Sequence, residues 1–579
     1  MSFDKKQFGL FLRFARYILP YRLRWTAILI LSGLGTLSGL VNPYLAKLVI
    51  DKAIGNKDLK IFIILAVVGG AVFVISGVIN GVRQYLGRYV KARVKLDLNK
   101  RVFTGINRLP FSWFQDRSTG ENVYKMNYDI NRVSDLMTTI PPQAAALSLK
   151  LVITFFIIFR LNRQMAVFSI CLAPFLYLPQ YYLTRKRRAV WEEFIKSSEQ
   201  LFKMLHETFS HIYPIKVFGK EGSEIRKYLR KLVGNIKIEL STTRLEIFSG
   251  FTASALGKII IGLITFYGGY QVIKGKMTLG SLTAIIVYLG QLAGIQGTFI
   301  DFFQTTVLGL ISCQRVADIL DTEESIKDIK GAKSVVFEKG DIVFDKVSFG
   351  YVQGKPVLKD LSFLIRGNTH ISLAGYSGSG KTTLLNLIFR LYDPWQGEIL
   401  IDRHKIKDIK LDSLKSQLGM VLQGPFLFND TIKNNIAYGK QHAVESEIIQ
   451  AANISLADEF VSNLKETYNT VIGENACKLS EGQKQKIAIA RALIKKPKIL
   501  IFDEAMSSMD SESEERILTN IRENLKGAAL ITVSHRLSTV KSADLIYFLK
   551  GPGEIIIGRY EELLQDDKDF YNLFKAQIK

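Results

Sequence analysis

The pattern of apolar and polar positions divides the chain in two. In the first 315 residues, runs of mostly apolar residues fall near 25–50, 61–82, 141–159, 165–183, 247–273 and 279–311. A transmembrane helix needs about 20 such residues, so six runs predict six spans. The ionisable residues Lys150, Lys258 and Asp301 lie in or beside these runs, where charged groups normally face a partner or a water-filled cavity. The connections alternate in length. Residues 51–60, 160–164 and 274–278 are short. Residues 83–140 and 184–246 are long, polar and helically periodic. Each long connection predicts an arm that goes out and returns over roughly 35–40 Å at 1.5 Å per residue. The turns are expected at 117–121 and at 212–221, where Pro214 and Gly219 interrupt the pattern.

Beyond the last span the rhythm changes. Residues 316–340 are polar and mixed in charge and read as a linker. From 341 to 579, short apolar runs such as 342–344, 419–422, 499–502 and 530–533 alternate with helical segments. That alternation predicts an α/β domain with a largely parallel sheet.

Charge adds the orientation. Across 579 residues there are 77 Lys and Arg against 53 Asp and Glu, a net charge of +24, with a mean hydropathy of +0.14. Cations crowd the two long connections, including Arg88 to Arg101 in one and Arg185 to Arg188 in the other. The positive-inside bias then places both arms, the N-terminus and the C-terminal half in the cytoplasm, and accounts for the basic balance without nucleic acid. The N-terminal stretch mixes Lys5, Lys6, Arg13 and Arg16 with Phe and Leu, the pattern of an interfacial amphipathic helix, and carries no cleavable signal. Three widely spaced cysteines form neither a disulfide framework nor a metal motif, and six scattered histidines make a His-based metal site a poor reading. The expectation is a multi-pass protein of the plasma (inner) membrane.

The chemistry is concentrated in the second half. Gly375 to Thr382 reads G-x-x-x-x-G-K-T between a β-favouring run and a helical one. Glycines let successive N–H groups face phosphate oxygens, the lysine reaches the β- and γ-phosphates, and the threonine hydroxyl can ligate Mg²⁺. Gly375, Ser377, Gly378, Ser379, Gly380, Lys381, Thr382 and Thr383 are therefore the candidate nucleotide contacts. The run 499–502 ends in Asp503 and Glu504, at the strand edge where α/β sheets bind ligands. Asp503 is suited to hold Mg²⁺ and Glu504 to activate water as general base. Gln423 and His535 also follow strand-like runs. Alone, each reads as an ordinary surface amide or structural histidine.

Residues 479–483, Leu-Ser-Glu-Gly-Gln, resemble the LSGGQ signature of ABC transporters. With the phosphate loop before it and six spans ahead of both, the whole chain is similar to an exporter-type half-transporter. The resemblance implies a helical membrane domain (1–315), the linker, and an ABC-type P-loop ATPase domain (341–579) using ATP and Mg²⁺. It implies that Tyr351 stacks on adenine and that Gln423 touches Mg²⁺ or the water. His535 would contact the γ-phosphate, and Asp510 would sit in a loop crossing to a partner. Ser480 and Gly482 would close on ATP held by another subunit. The turns near Gly120 and Ile215 resemble coupling helices, and 470–474 the segment that meets them.

Glu481 departs from the signature, standing where a glycine is usual. It introduces charge near the phosphates and narrows the backbone angles available. The implied partner is a second copy or a paralogous half-transporter, and the implied activity is ATP-driven export of a small-molecule, lipid or peptide substrate from the bilayer. No peptidase-like segment precedes the first span, which disfavours a peptide-processing exporter. An ATP-gated channel or ATP-driven regulator on the same scaffold is the alternative.

Overall fold

The computed structural model describes residues 5–115, 125–322, 326–473, 476 and 478–577. The chain divides into two compact units, 1–323 and 324–579.

The described part of the first unit is helical. In chain order its α-helices are α1 (Lys5–Ala15), α2 (Arg22–Leu48), α3 (Leu59–Ile106), α4 (Phe111–Gln115), α5 (Ile130–Thr138) and α6 (Ile140–Leu161). They continue with α7 (Arg163–Ser210), α8 (Ile212–Val217), α9 (Glu221–Ile273), α10 (Leu279–Ala293) and α11 (Ile295–Asp321). Each of the six apolar runs falls within helix. Among the described residues, four helical stretches are long and apolar enough to cross a membrane: Phe8–Ile54, Leu59–Ile106, Ile130–Leu161 and Glu221–Ile273. Two shorter apolar stretches, Arg163–Leu172 and Leu279–Leu292, overlap the fourth and sixth runs without reaching that length. The fourth run is diluted by polar residues and by Pro174 and Pro179, and Gly294 separates α10 from α11.

The arms are not separate elements. Helices α3, α7 and α9 have 48, 48 and 53 residues, so each is about 70–80 Å long, more than twice a hydrocarbon core of about 30 Å. Where α3 leaves its apolar stretch, a stripe of Val90, Val94, Leu98 and Val102 at four-residue spacing becomes fully buried. It packs with Val133 and Met137 of α5 and Cys313 and Val316 of α11. Its membrane stretch buries nothing inside the chain, leaving Val67, Phe73 and Val78 for lipid or another protein. Helix α11 continues to Asp321, past the expected end of the membrane domain at 315. Asp321 holds Arg13 of α1 through two contacts of 2.6 Å. The turn expected near Gly120 lies outside the described residues. The one at 212–221 contains α8 and a left-handed Gly219.

The second unit holds two sheets. Strands β1 (Ile342–Phe349), β2 (Leu358–Ile365), β4 (Gln396–Ile401) and β5 (His404–Lys405) form an antiparallel sheet in the order β2-β1-β4-β5. Strands β3 (His370–Gly375), β6 (Leu418–Val421), β7 (Ile499–Asp503), β8 (Ala529–Val533), β9 (Leu545–Gly551) and β10 (Glu554–Gly558) form the other. Its order is β10-β9-β3-β8-β7-β6, parallel except for the β10 edge. Strands β3 and β8 are buried along their whole length, which is why they read as continuous apolar runs rather than alternating ones. Much of the presumed linker belongs to this unit. Phe337 is buried in its core, and Val335 exchanges hydrogen bonds with Ser413.

Candidate nucleotide site

The four parallel strands β3, β8, β7 and β6 end on one edge of the sheet. Register pairs Leu373 with Val533, Asp503 with Val533, and Val421 with Phe502. The residues that follow these ends therefore line up along that edge: the phosphate loop after β3, His535 after β8, Asp503–Glu504 at β7, and Gln423 after β6.

The loop leaves β3 and enters helix α12 (Lys381–Ile388). Gly380 sits at φ 103°, left-handed, and a Cβ there would lie 2.8 Å from Leu358. At Gly375 a Cβ would lie 2.6 Å from the Leu549 carbonyl. Only glycine meets both demands. Lys381 is buried and folds back, donating from Nζ to the carbonyls of Gly375 (2.8 Å) and Tyr376 (2.9 Å). Burial lowers its pKa, opposed by the charges of Glu504 and Asp503. Thr382 is exposed at the mouth, Thr383 is buried, and the buried Ser379 hydroxyl has no hydrogen-bond partner among the described residues. An orphaned donor in a glycine-rich loop fits a phosphate oxygen.

Beside the loop, burial raises the Asp503 pKa, the adjacent Glu504 raises it further, and Lys381 lowers it. Glu504 adopts φ 50°, a left-handed conformation costing a non-glycine residue about 1–3 kcal/mol. Its N–H donates to Val533 O (3.0 Å), and its carboxylate Oε1 lies 3.2 Å from His535 Nε2. Gln423 is exposed just past β6. The donor set of Thr382 hydroxyl, Asp503 carboxylate and Gln423 amide oxygen suits Mg²⁺. That ion takes few protein oxygens and fills its octahedron with phosphate and water. No cluster of three or more His, Cys, Asp or Glu exists among the described residues to hold a metal by protein ligands alone.

Tyr351 stands just beyond β1, half exposed, edge-on to Phe349 and Tyr392. Its hydroxyl lies 3.2 Å from Thr383 Oγ1 and accepts from Asn386 Nδ2 at 3.1 Å. The aromatic platform is thereby pinned to the helix that carries the phosphate loop.

The signature residues are not brought to this cluster. Ser480 caps helix α13 (Glu481–Leu493). Its hydroxyl accepts from the Gln483 N–H while Gln483 Oε1 accepts from the Ser480 N–H, a reciprocal capping box. Glu481 is the first helical residue, does not adopt positive φ, and pairs with Lys484 at 2.8 Å. Glycine is not required there, and a carboxylate at a helix N-terminus is favoured by the dipole. Gly482 opens onto Ser508 O, 3.5 Å from where a Cβ would sit. Asp510 is itself an N-cap, accepting from Ser513 N at 2.8 Å for helix α14 (Ser511–Asn524). Those bonds hold its pKa down.

Three contributors were not legible beforehand. Asn386 orients Tyr351. Gln485, buried in α13, donates to Leu422 O at 3.4 Å beside Gln423. Arg536 braces the segment after Glu504 by donating to Ser507 O (2.5 Å) and Met509 O (3.1 Å). Asn386, at helical spacing after the loop, carried only a faint signal, and the other two none. In the first unit, Lys258 is exposed and Lys150 half-buried, while the side chain of Asp301 lies outside the described residues.

A membrane unit whose described residues are helical, followed by a P-loop sheet with this edge, defines a membrane-embedded ATPase. Residues 25–296 match the family model of the ABC transporter transmembrane region, and residues 358–507 that of the ABC transporter. The chain belongs to the ABC transporter family. It is 34% identical over 545 residues to an ATP-dependent lipid A-core flippase of Syntrophus aciditrophicus (strain SB), covering 94% of this chain and 90% of that one. It is 30% identical over 573 residues to a putative multidrug export ATP-binding/permease protein of Staphylococcus aureus (strain NCTC 8325 / PS 47), covering 98% and 99%. Its fold matches the structure of a bacterial Atm1-family ABC exporter with ATP bound, with a TM-score of 0.84, 27% identity and coverage of 96% and 99%. The protein is an integral membrane transporter of the exporter type that binds nucleotide and couples ATP hydrolysis to export.

Proposed function

We propose that two copies of this chain, each contributing six spans, form one exporter, with each ATP held between the phosphate loop of one copy and Ser480 and Gly482 of the other. The observation that supports this is the separation within one chain. Ser480 spends its hydroxyl on its own helix, and among the described residues no hydrogen bond joins it to 375–383. A site built from the loop alone is half a site.

In this reading the arms and the ATPase unit face the cytoplasm, and the membrane is the plasma (inner) membrane. Tyr351 stacks on the base. The N–H groups of 377–383 and Lys381 hold the phosphates. Thr382, Asp503 and Gln423 would hold Mg²⁺, which supplies positive charge to the β- and γ-phosphates. Glu504 takes a proton from water as its oxygen bonds to Pγ. The Pγ–O bond to ADP breaks, and His535 and Lys381 stabilise the charge on the γ-phosphate oxygens. The transmembrane unit is taken to be the first compact unit, 1–323, and the ATPase unit the second, 324–579. The relatives' names, a lipid flippase and multidrug exporters, support an amphipathic or lipid substrate.

The test is intermolecular cross-linking. In a cysteine-free background, Ser377→Cys copies mixed with Ser480→Cys copies should form a disulfide between chains that ATP increases. Equal cross-linking without nucleotide, or none with it, would overturn the shared site. ATPase stimulation in liposomes containing lipid, drug or peptide panels then identifies the substrate class.

A further inference from the structure

The end of the membrane unit away from the arms carries an unexpected charge. Its three short connections, residues 51–60, 160–164 and 274–278, contain seven Lys and Arg against two Asp in twenty residues. The long connection 83–140, on the side that the positive-inside bias favours, has eleven Lys and Arg in fifty-eight. The cations are thus denser on the side where they are normally sparse.

The three connections meet. Asp51 Oδ2 accepts from the Thr278 hydroxyl at 2.7 Å, and its Oδ1 accepts from the Gly280 N–H at 2.9 Å. Gln271 Nε2 donates to Gln164 Oε1 at 2.8 Å. One rim therefore collects Lys52, Lys57 and Lys60 of the first connection with Arg160 and Arg163 of the second. Lys274 and Lys276 join them from the third. Both carboxylates are already used, Asp51 as above and Asp58 in capping α3 through the N–H groups of Lys60 and Ile61. All seven cations are exposed, and none forms an ion pair with a described residue.

Three of them lie over aromatic rings. Arg160 lies over Phe156 at 5.4 Å, Arg163 over Phe159 at 5.6 Å, and Lys274 over Tyr270 at 5.0 Å. These rings are themselves exposed and sit at the ends of apolar stretches, the position of an interfacial aromatic belt. Rings of that kind favour headgroup level for these three charges.

We propose that this rim binds the phosphates of anionic phospholipids in the leaflet away from the arms, so that the transporter recruits a shell of acidic lipid there. Guanidinium forks on Arg160 and Arg163 match phosphate oxygens in pairs, and the lysines add charge on the same rim. In the orientation proposed above, this is the non-cytoplasmic leaflet, but the binding does not depend on which side that is.

The experiment titrates the detergent-purified full chain with dioleoyl-phosphatidylglycerol and dioleoyl-phosphatidylcholine and counts retained lipids by native mass spectrometry. The wild type should prefer phosphatidylglycerol. Changing all seven rim cations to Gln should reduce that preference at least fivefold. A milder Arg160→Gln/Arg163→Gln variant should reduce it at least twofold, and serves if the larger one does not fold. An arm variant, Arg226→Gln/Arg230→Gln/Lys231→Gln, should keep the wild-type preference. Unchanged preference in the rim variants, or equal loss in the arm variant, overturns the proposal. Replacing chloride by inorganic phosphate at equal ionic strength should leave the bound lipid in place. Its displacement would make the rim a general anion site and overturn the assignment to lipid.

Discussion

His535 Nε2 and Glu504 Oε1 lie 3.2 Å apart across the ends of neighbouring strands β8 and β7. The contact is available because Glu504 takes the left-handed backbone conformation at φ 50° and because its N–H is fixed to Val533 O. The backbone thus fixes where the carboxylate proposed as base stands. Glu504→Gln preserves the shape and the hydrogen bond but cannot accept a proton. ATP binding should stay within about threefold of wild type while turnover falls by about 10²–10⁴, the range that general base catalysis supplies. Parallel measurement of nucleotide binding and phosphate release checks this. Turnover above a tenth of wild type would remove Glu504 from the role of base.

Glu481 bears on whether the signature is weakened. Its carboxylate is paired with Lys484 and sits at a helix start whose dipole favours it. Glu481→Gly should therefore change the apparent ATP affinity by less than about threefold. It should lower helix stability by about 1 kcal/mol, since glycine in a helix and the loss of an exposed pair each cost up to that amount. A tenfold gain in ATP affinity would mean instead that the carboxylate repels the phosphates. ATPase titrations in low and high salt discriminate the two, because repulsion of that kind is screened.

What the sequence made legible, and what it hid, follows from the range of each interaction. The phosphate loop and the carboxylates of β7 were legible because their chemistry is local. A glycine-rich turn, a buried strand and a strand-terminal acid are all consecutive residues. Strands β3 and β8 were legible as unbroken apolar runs. Hydropathy falls after Ile311, yet α11 runs on to Asp321. The pattern that continues α11 is periodic rather than apolar: Cys313, Val316, Ala317 and Leu320 recur at three- and four-residue steps among polar neighbours. Phe337 was hidden because Val335-Val336-Phe337 is a run of only three apolar residues in a polar stretch, too short to predict an element, and it fills a core made elsewhere. The Asn386–Tyr351 bond and the brace by Arg536 join residues 35 and 27–29 positions apart, and no local pattern encodes either. The left-handed Glu504 was equally invisible, since glutamate carries no signal for it.

The hydroxyl of Tyr351, bonded to Asn386 and close to Thr383, predicts energetic coupling between the Tyr351 ring, proposed to stack on the base, and the phosphate loop. Tyr351→Phe and Asn386→Ala should each raise the KM for ATP two- to fivefold with little change in kcat. The double variant should be no worse than the worse single one, because both remove the same bond. The double-mutant cycle on KM is the measurement. Additive effects would mean that Asn386 acts on the loop by another route.

At the opposite end of β3, His370 is nearly fully buried. Arg522 Nη2 lies 2.8 Å from Nδ1, and Nε2 lies 3.0 Å from Thr532 Oγ1. Nδ1 also lies 3.1 Å from the Ser542 carbonyl, so both ring nitrogens are engaged by neighbours. Burial, then the Arg522 charge, pushes its pKa down from 6.5 to about 4. The unfolded chain thus binds this proton more readily than the folded one, and stability rises with pH across the interval. The contribution is complete above about pH 6.5 and is lost as pH falls toward 4. It amounts to about 3 kcal/mol at 1.36 kcal/mol per pKa unit. His370→Gln keeps a donor and an acceptor but cannot titrate. Thermal unfolding of the detergent-solubilised protein from pH 7.5 to 4.5 should show the wild type losing stability faster than the variant below pH 6.5. Parallel curves for the two proteins would show that His370 does not carry this dependence.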